Sequence, residues 1–114
     1  DAAWFENKIR EDVTLWKQRY EIDIDAGSLP IETVEGYVGP GYGVAEQPVF
    51  DLIRQLATTE GLFLDPVYTG KAFYGMVEEL AKGDAGALAG ARDVLFVHTG
   101  GLFGVFPQQD NFRF

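Results

Sequence analysis

A short apolar run, Leu62-Phe63-Leu64, leads directly into Asp65-Pro66-Val67-Tyr68-Thr69-Gly70-Lys71, and an amphipathic stretch follows over 72–82. This order predicts a strand, a sharp turn shaped by Pro66 and Gly70, and a helix. In open α/β sheets ligands gather at the carboxyl ends of the strands. The turn places a carboxylate, a phenol, a hydroxyl and an amine close together at such an end. It is therefore the first place to look for chemistry.

A second run of the same kind is Val94-Leu95-Phe96-Val97, which is continuous and β-rich, as expected of a strand covered on both faces. It ends in His98-Thr99-Gly100-Gly101. Helices are predicted around these runs. Over 3–20, Phe5, Ile9, Val13, Trp16 and Tyr20 recur at spacings of three or four. Over 47–59, Val49, Ile53, Leu56 and Ala57 share a side, with Pro48 in the first turn and Gly61 as the stop. The helix over 72–82 would turn Phe73, Met76, Val77 and Leu80 inward. The alternation over 21–25 suggests a short edge strand, 26–30 a turn, 83–92 a connecting loop and 102–106 a final short helix, with an irregular tail to Phe114. Strands alternating with helices imply parallel crossover units. The expected fold is thus α/β, a partial three-layer open sheet of parallel strands with flanking helices, belonging to a larger domain. Residues 1–114 are expected to form one unit with no internal boundary, burying roughly two thirds of the unfolded surface.

Charge and composition remove several function classes. The net charge is −9, from 9 Lys+Arg against 18 Asp+Glu, and an acidic surface repels phosphate backbones, so nucleic acid is not an expected partner. There is no cysteine and one histidine, which excludes a disulfide framework and a thiolate metal site. No apolar run is long enough for a membrane-spanning helix, and no secretory signal is visible. These features suit a cytoplasmic protein. The chain opens at Asp1 without a methionine and enters a helix at once, which reads as a fragment or a processed product.

If the two strands are parallel neighbours, Tyr68, Thr69, His98 and Thr99 share one edge. The loop Gly36-Tyr37-Val38-Gly39-Pro40-Gly41-Tyr42-Gly43 would then lie above them. That loop lacks the G-x-G-x-x-G order of a dinucleotide site. No serine or cysteine stands in a nucleophile elbow. A lone histidine after a buried strand is expected to be hydrogen-bonded structure, and Lys71, opening a helix, is expected to be solvated. The residues alone support an α/β segment with a candidate site edge.

The stretches GYVGPGYG, EGLFLDPVYTGK and DVLFVHTGG, in that order and at this spacing, resemble the carboxyl-terminal part of the D-cysteine desulfhydrase and aminocyclopropane-carboxylate deaminase family. These are pyridoxal-phosphate enzymes with the fold of the tryptophan synthase β chain. The similarity covers about 36–106. The resemblance implies that Tyr68 and Tyr42 are catalytic phenols facing substrate and cofactor. It also implies that Thr69 meets the edge of the pyridine nitrogen, and that Thr99 and Gly100 line the same pocket. Deaminase-type members resemble VYEGK, with a carboxylate where this chain has Thr69. A neutral hydroxyl there makes a weaker electron sink, which points to β-elimination from a sulfur-containing amino acid with release of pyruvate and ammonia. The family's Schiff-base lysine and main phosphate loop lie upstream of any residue present, and Lys71 does not replace that lysine. Val44-Ala45-Glu46-Gln47-Pro48 departs from the family pattern after GYG. The implied partners are a small amino-acid substrate, the missing amino-terminal half and, when complete, a second copy. The rival readings are a non-catalytic structural piece and a deaminase.

Overall fold

A computed structural model describes residues 1–113, so Phe114, placed above in an irregular tail, lies outside the described residues. The chain divides into two compact units, 1–35 and 36–114.

In the first unit, the three-and-four spacing of apolar residues becomes helix α1 (Ala2–Tyr20). Asp1 caps it by accepting the Ala3 amide at 3.1 Å. Glu21 closes it in the left-handed region at φ 52, its amide bonded to the Lys17 carbonyl. Lys17 and Arg19 in the last turn suit the negative end of the helix dipole. No residue of α1 is buried, and Phe5, Trp16 and Tyr20 of the apolar stripe are all exposed. The guanidinium of Arg10 gathers the carbonyls of Ala26, Gly27 and Leu29 at 3.1, 3.3 and 2.8 Å. This folds a 3-10 turn at Ala26–Ser28 back onto the helix. The alternating stretch over 21–25 forms no strand.

The second unit is built on α2 (Gln47–Thr59) and α3 (Thr69–Ala81), which pack on each other. Its core is Val49, Ile53 and Leu64, with Leu56, Leu62, Phe73, Phe96 and Phe112 packed around it. A 3-10 helix at Leu102–Asn111, broken at Gln108, continues well past the short helix expected over 102–106.

The open parallel sheet is not there. Among the described residues no strand forms, and the one bridge pairs Gly41 with Val44. The reason lies in where the backbone groups around Leu62-Phe63-Leu64 go. The Leu62 amide bonds to the Leu56 carbonyl at the end of α2. The Phe63 carbonyl takes the ring of His98 at 2.8 Å, and the Asp65 amide donates to the Thr69 hydroxyl at 2.9 Å. A strand exists through ladder bonds to a neighbour. Here a helix end and two side chains take three of the groups a ladder would need, neither 62–64 nor 94–97 forms a strand among the described residues, and the fold is helical.

The face of α3 is only partly the one expected: Phe73 packs on the core. Val77 and Leu80 are exposed, whereas Lys71, Gly75 and Glu79, spaced four apart, are buried. The Tyr37 ring occupies the space over Gly75: a Cβ there would lie 2.9 Å from two of its ring carbons. Beside it, Glu79 accepts from Lys82 at 2.6 Å, from the Tyr37 hydroxyl and from the Ala87 amide at 2.7 Å. The Lys82 and Tyr37 bonds, and then the Ala87 amide, hold its carboxyl down at about 2 against an ordinary 4.5. A carboxyl depressed by folding stabilises the native state above its unfolded-state value and stops doing so as the pH falls through its folded value. Urea midpoints should therefore drop as the pH is lowered from 4.5 toward about 2, and Glu79→Gln should flatten that limb. An acid limb of equal depth in the variant would refute this.

Candidate active-site edge

Asp65 organises the turn. The residue is about 1% exposed, and four donors point at its carboxylate. One carboxylate oxygen accepts the amides of Val67 and Tyr68 at 2.8 and 2.9 Å. The other accepts the Thr69 amide at 2.9 Å and the Thr69 hydroxyl at 2.6 Å. These amides begin α3, so Asp65 caps a helix whose own N-cap position, Tyr68, offers no side-chain bond. Burial by itself pushes the Asp65 carboxyl up. The bonds from the Thr69 hydroxyl and the three amides outweigh it and hold the group below its ordinary value. Asp65 was legible in the sequence only as part of the turn. The usable signal was an Asp-Pro pair three residues ahead of a helix.

Thr69 is placed differently from what a ring contact would suggest. It is buried, its hydroxyl proton goes to Asp65, and its oxygen accepts the Asp65 amide. One lone pair is left to offer any other group.

The two phenols meet. Tyr68 donates to the Tyr42 hydroxyl oxygen at 2.8 Å, with the rings edge to face at 6.0 Å between centroids. Both tyrosines are exposed, at 57% and 82%. The bond to Tyr42, followed by partial desolvation, raises the Tyr68 phenol above its ordinary value, so it stays protonated at neutral pH. Lys71 is not solvated as expected. It is buried, and its ammonium donates to the carbonyls of Val38 at 2.6 Å and Gly41 at 3.0 Å.

The second turn packs against the first. Gly100 donates its amide to Nδ1 of His98 at 3.0 Å, which makes Nε2 the protonated nitrogen that donates to the Phe63 carbonyl. His98 is thus a staple between the two turns, in line with its structural reading. Gly101, at φ +94, lies against the carboxylate: a Cβ there would sit 2.7 Å from an Asp65 oxygen. Gly101→Ala should cost about 2–4 kcal/mol, combining left-handed strain with overpacking. Urea unfolding measures it, and a loss below about 0.5 kcal/mol, ordinary for a surface change, would contradict the close approach. Thr99 and Gly100 are exposed, and the Gly100 amide is already engaged by His98. The structure therefore brings Tyr42, Tyr68 and the 98–101 turn to one region, with Thr69 beneath them.

The sequence model of the family described as "Pyridoxal-phosphate dependent enzyme" matches residues 9–100. The chain belongs to this family. It is 43% identical over 88 residues to a Thermotoga maritima protein named as a candidate 1-aminocyclopropane-1-carboxylate deaminase, covering 77% of this chain and 26% of that protein. A Pyrococcus abyssi protein of the same name is 54% identical over 65 residues, 57% of this chain and 18% of the relative. The bifunctional D-cysteine desulfhydrase/1-aminocyclopropane-1-carboxylate deaminase, mitochondrial, of Arabidopsis thaliana is 37% identical over 83 residues, 73% of this chain and 20% of the relative. The chain thus spans about a quarter or less of the length of these curated relatives. No solved structure matches it.

The family is pyridoxal-phosphate dependent, and the donor set here fits one side of that cofactor. Exposed phenols and the Thr99 hydroxyl suit contacts around a substrate and a ring. The amine is another matter. Lys71, the lysine of the first turn, is locked on two carbonyls, and Lys82 at the far end of α3 on Glu79, so neither offers a free amine. Among the described residues no helix is long and apolar enough to cross a membrane.

Proposed function

We propose that the chain is the carboxyl-terminal portion of a pyridoxal-phosphate lyase that carries out β-elimination on a sulfur-containing amino acid, in the manner of a D-cysteine desulfhydrase. The observation that carries the reading is the Tyr68–Tyr42 pair: two exposed phenols from separate motifs, hydrogen-bonded at 2.8 Å. The bound cofactor supplies the electron sink that stabilises negative charge at the substrate α carbon. The chain supplies the phenols. Tyr68, protonated at neutral pH, is suited to donate, either orienting the substrate or giving a proton to the departing sulfur; Tyr42 accepts from it and sets its direction. Thr99 and Gly100 would line the same pocket. In the overall reaction the Cα–H and Cβ–S bonds break, water is taken up, and pyruvate, ammonia and hydrogen sulfide leave. The upstream half would bring the Schiff-base lysine and the phosphate loop. A homodimer in the cytoplasm, where a chain without cysteines is at ease, completes the proposal.

A specific observation favours a second reading, ring opening of 1-aminocyclopropane-1-carboxylate. The contrast between a threonine and a glutamate at position 69 rests on neutrality, yet the Asp65 carboxylate stands directly behind the Thr69 hydroxyl at 2.6 Å. If the ring edge meets Thr69 as the resemblance implies, the turn would bring negative charge close to it even with threonine in place. The names of the Thermotoga maritima and Pyrococcus abyssi relatives point the same way, whereas the Arabidopsis thaliana relative is named for both activities.

One experiment separates these readings. The chain is combined with its upstream half and the cofactor, and product release is followed from D-cysteine and from the cyclopropane amino acid. Pyruvate from D-cysteine is expected from the combined sample and none from the chain alone. Release of 2-oxobutanoate alone would favour ring opening, and neither product, with no cofactor absorbance, would end the lyase reading.

A further inference from the structure

Lys71 stands where a lysine gains little. It lies in the first turn of α3, where the helix dipole presents its positive end. It is about 7% exposed, and no carboxylate pairs with it among the described residues. Burying an ammonium costs free energy unless its partners replace the lost water, and its two acceptors are neutral main-chain carbonyls.

What those contacts accomplish is local. The Gly41 carbonyl precedes Tyr42 and also accepts the Val44 amide at 3.2 Å, so the ammonium clamps the tight 41–44 turn. The Val38 carbonyl anchors the other end of the same loop at 2.6 Å. Gly39 lies alongside, where a Cβ would meet Nζ at 3.8 Å. Lys71 is one helical turn beyond Tyr68. A single side chain therefore ties the backbone that carries one phenol to the backbone that carries the other. Tyr42, 82% exposed, has little packing of its own to hold it there.

We infer that Lys71 is a positioning residue whose ammonium, bridging the Val38 and Gly41 carbonyls, sets the Tyr42 phenol against that of Tyr68. The importance of this role rests on the reading of the two phenols as the working pair, but its test does not. The probe is alkaline titration of the chain, followed residue by residue through the ring-carbon NMR resonances of labelled tyrosine. In the unaltered chain Tyr68 should titrate above the ordinary phenol range, and Tyr42→Phe should bring it down. Lys71→Met, which keeps the apolar stem and removes the ammonium, should bring Tyr68 down in the same way, with no further shift when the two changes are combined. A Tyr68 titration left unchanged in folded Lys71→Met would overturn the inference. Should that variant fail to fold, Lys71→Gln decides, since its neutral amide is one bond too short to span both carbonyls: a lowered Tyr68 supports the inference, and an unmoved one overturns it. Neither cofactor nor turnover enters this measurement, so a failed lyase assay would leave its outcome standing.

Discussion

Asp65→Ala should remove about 2–5 kcal/mol from the stability of the second unit, since each buried donor left without an acceptor costs about 1–3 kcal/mol. The arithmetic depends on which donors can find water. The amides of Val67 and Tyr68 lie near the surface and can be rehydrated, but the Thr69 amide and hydroxyl are enclosed. Asp65→Asn should cost less, because one oxygen remains for one pair of donors. Urea unfolding of both variants gives the comparison. The pH dependence has a definite sign. A carboxyl held low by the fold contributes its stability above 3.8 and loses it as the pH falls through the lowered folded value. Asp65→Asn should therefore be penalised at neutral pH and much less so in acid. A penalty that stays constant across that range would mean that the carboxylate is not the organising charge.

Tyr68→Phe should lower kcat of the assembled enzyme by about 10²–10⁴, the range for loss of a positioned proton donor. KM should change far less. The reason for expecting a catalytic effect rather than a folding one is exposure: Tyr68 is more than half exposed, and among the described residues its hydroxyl bonds only to another exposed hydroxyl. Its removal should shift unfolding by no more than about 0.5 kcal/mol, as for other surface changes. A variant that retains full turnover would remove Tyr68 from the chemistry, whatever its closeness to Tyr42.

Local pattern was legible where a local rule sufficed. The three-and-four spacing of Phe5, Ile9, Val13, Trp16 and Tyr20 gave α1, and Pro48 with the Val49 and Ile53 face gave α2 with the bounds observed. The proximity of the motifs was legible too: they carry Tyr42 and Tyr68, which bond to each other, and the 98–101 turn, which packs on the Asp65 turn. The sheet was not legible, because an apolar β-rich run states a preference for extended backbone without naming a partner. Leu62 and Phe63 found theirs in α2 and His98. The inward face of α3 was legible at Phe73, which packs on the core, and not at Val77 and Leu80, which are exposed, for a related reason. Apolar spacing selected Phe73, Met76, Val77 and Leu80, yet the close approach of Tyr37 at Gly75 turned the Lys71–Gly75–Glu79 stripe inward.

By itself, the sequence determined the main helices, the family and the motifs that carry the candidate site, since each depends on residues adjacent in the chain or on motifs in fixed order. Only the tertiary structure decided what Asp65, Thr69 and Lys71 do. Each is polar and would ordinarily face water. Each is buried because its donors or acceptors are met by groups that chain folding brings to it, from the next turn of helix to a loop some 30 residues away. Burial and its compensation are properties of that meeting, which one-dimensional spacing does not encode.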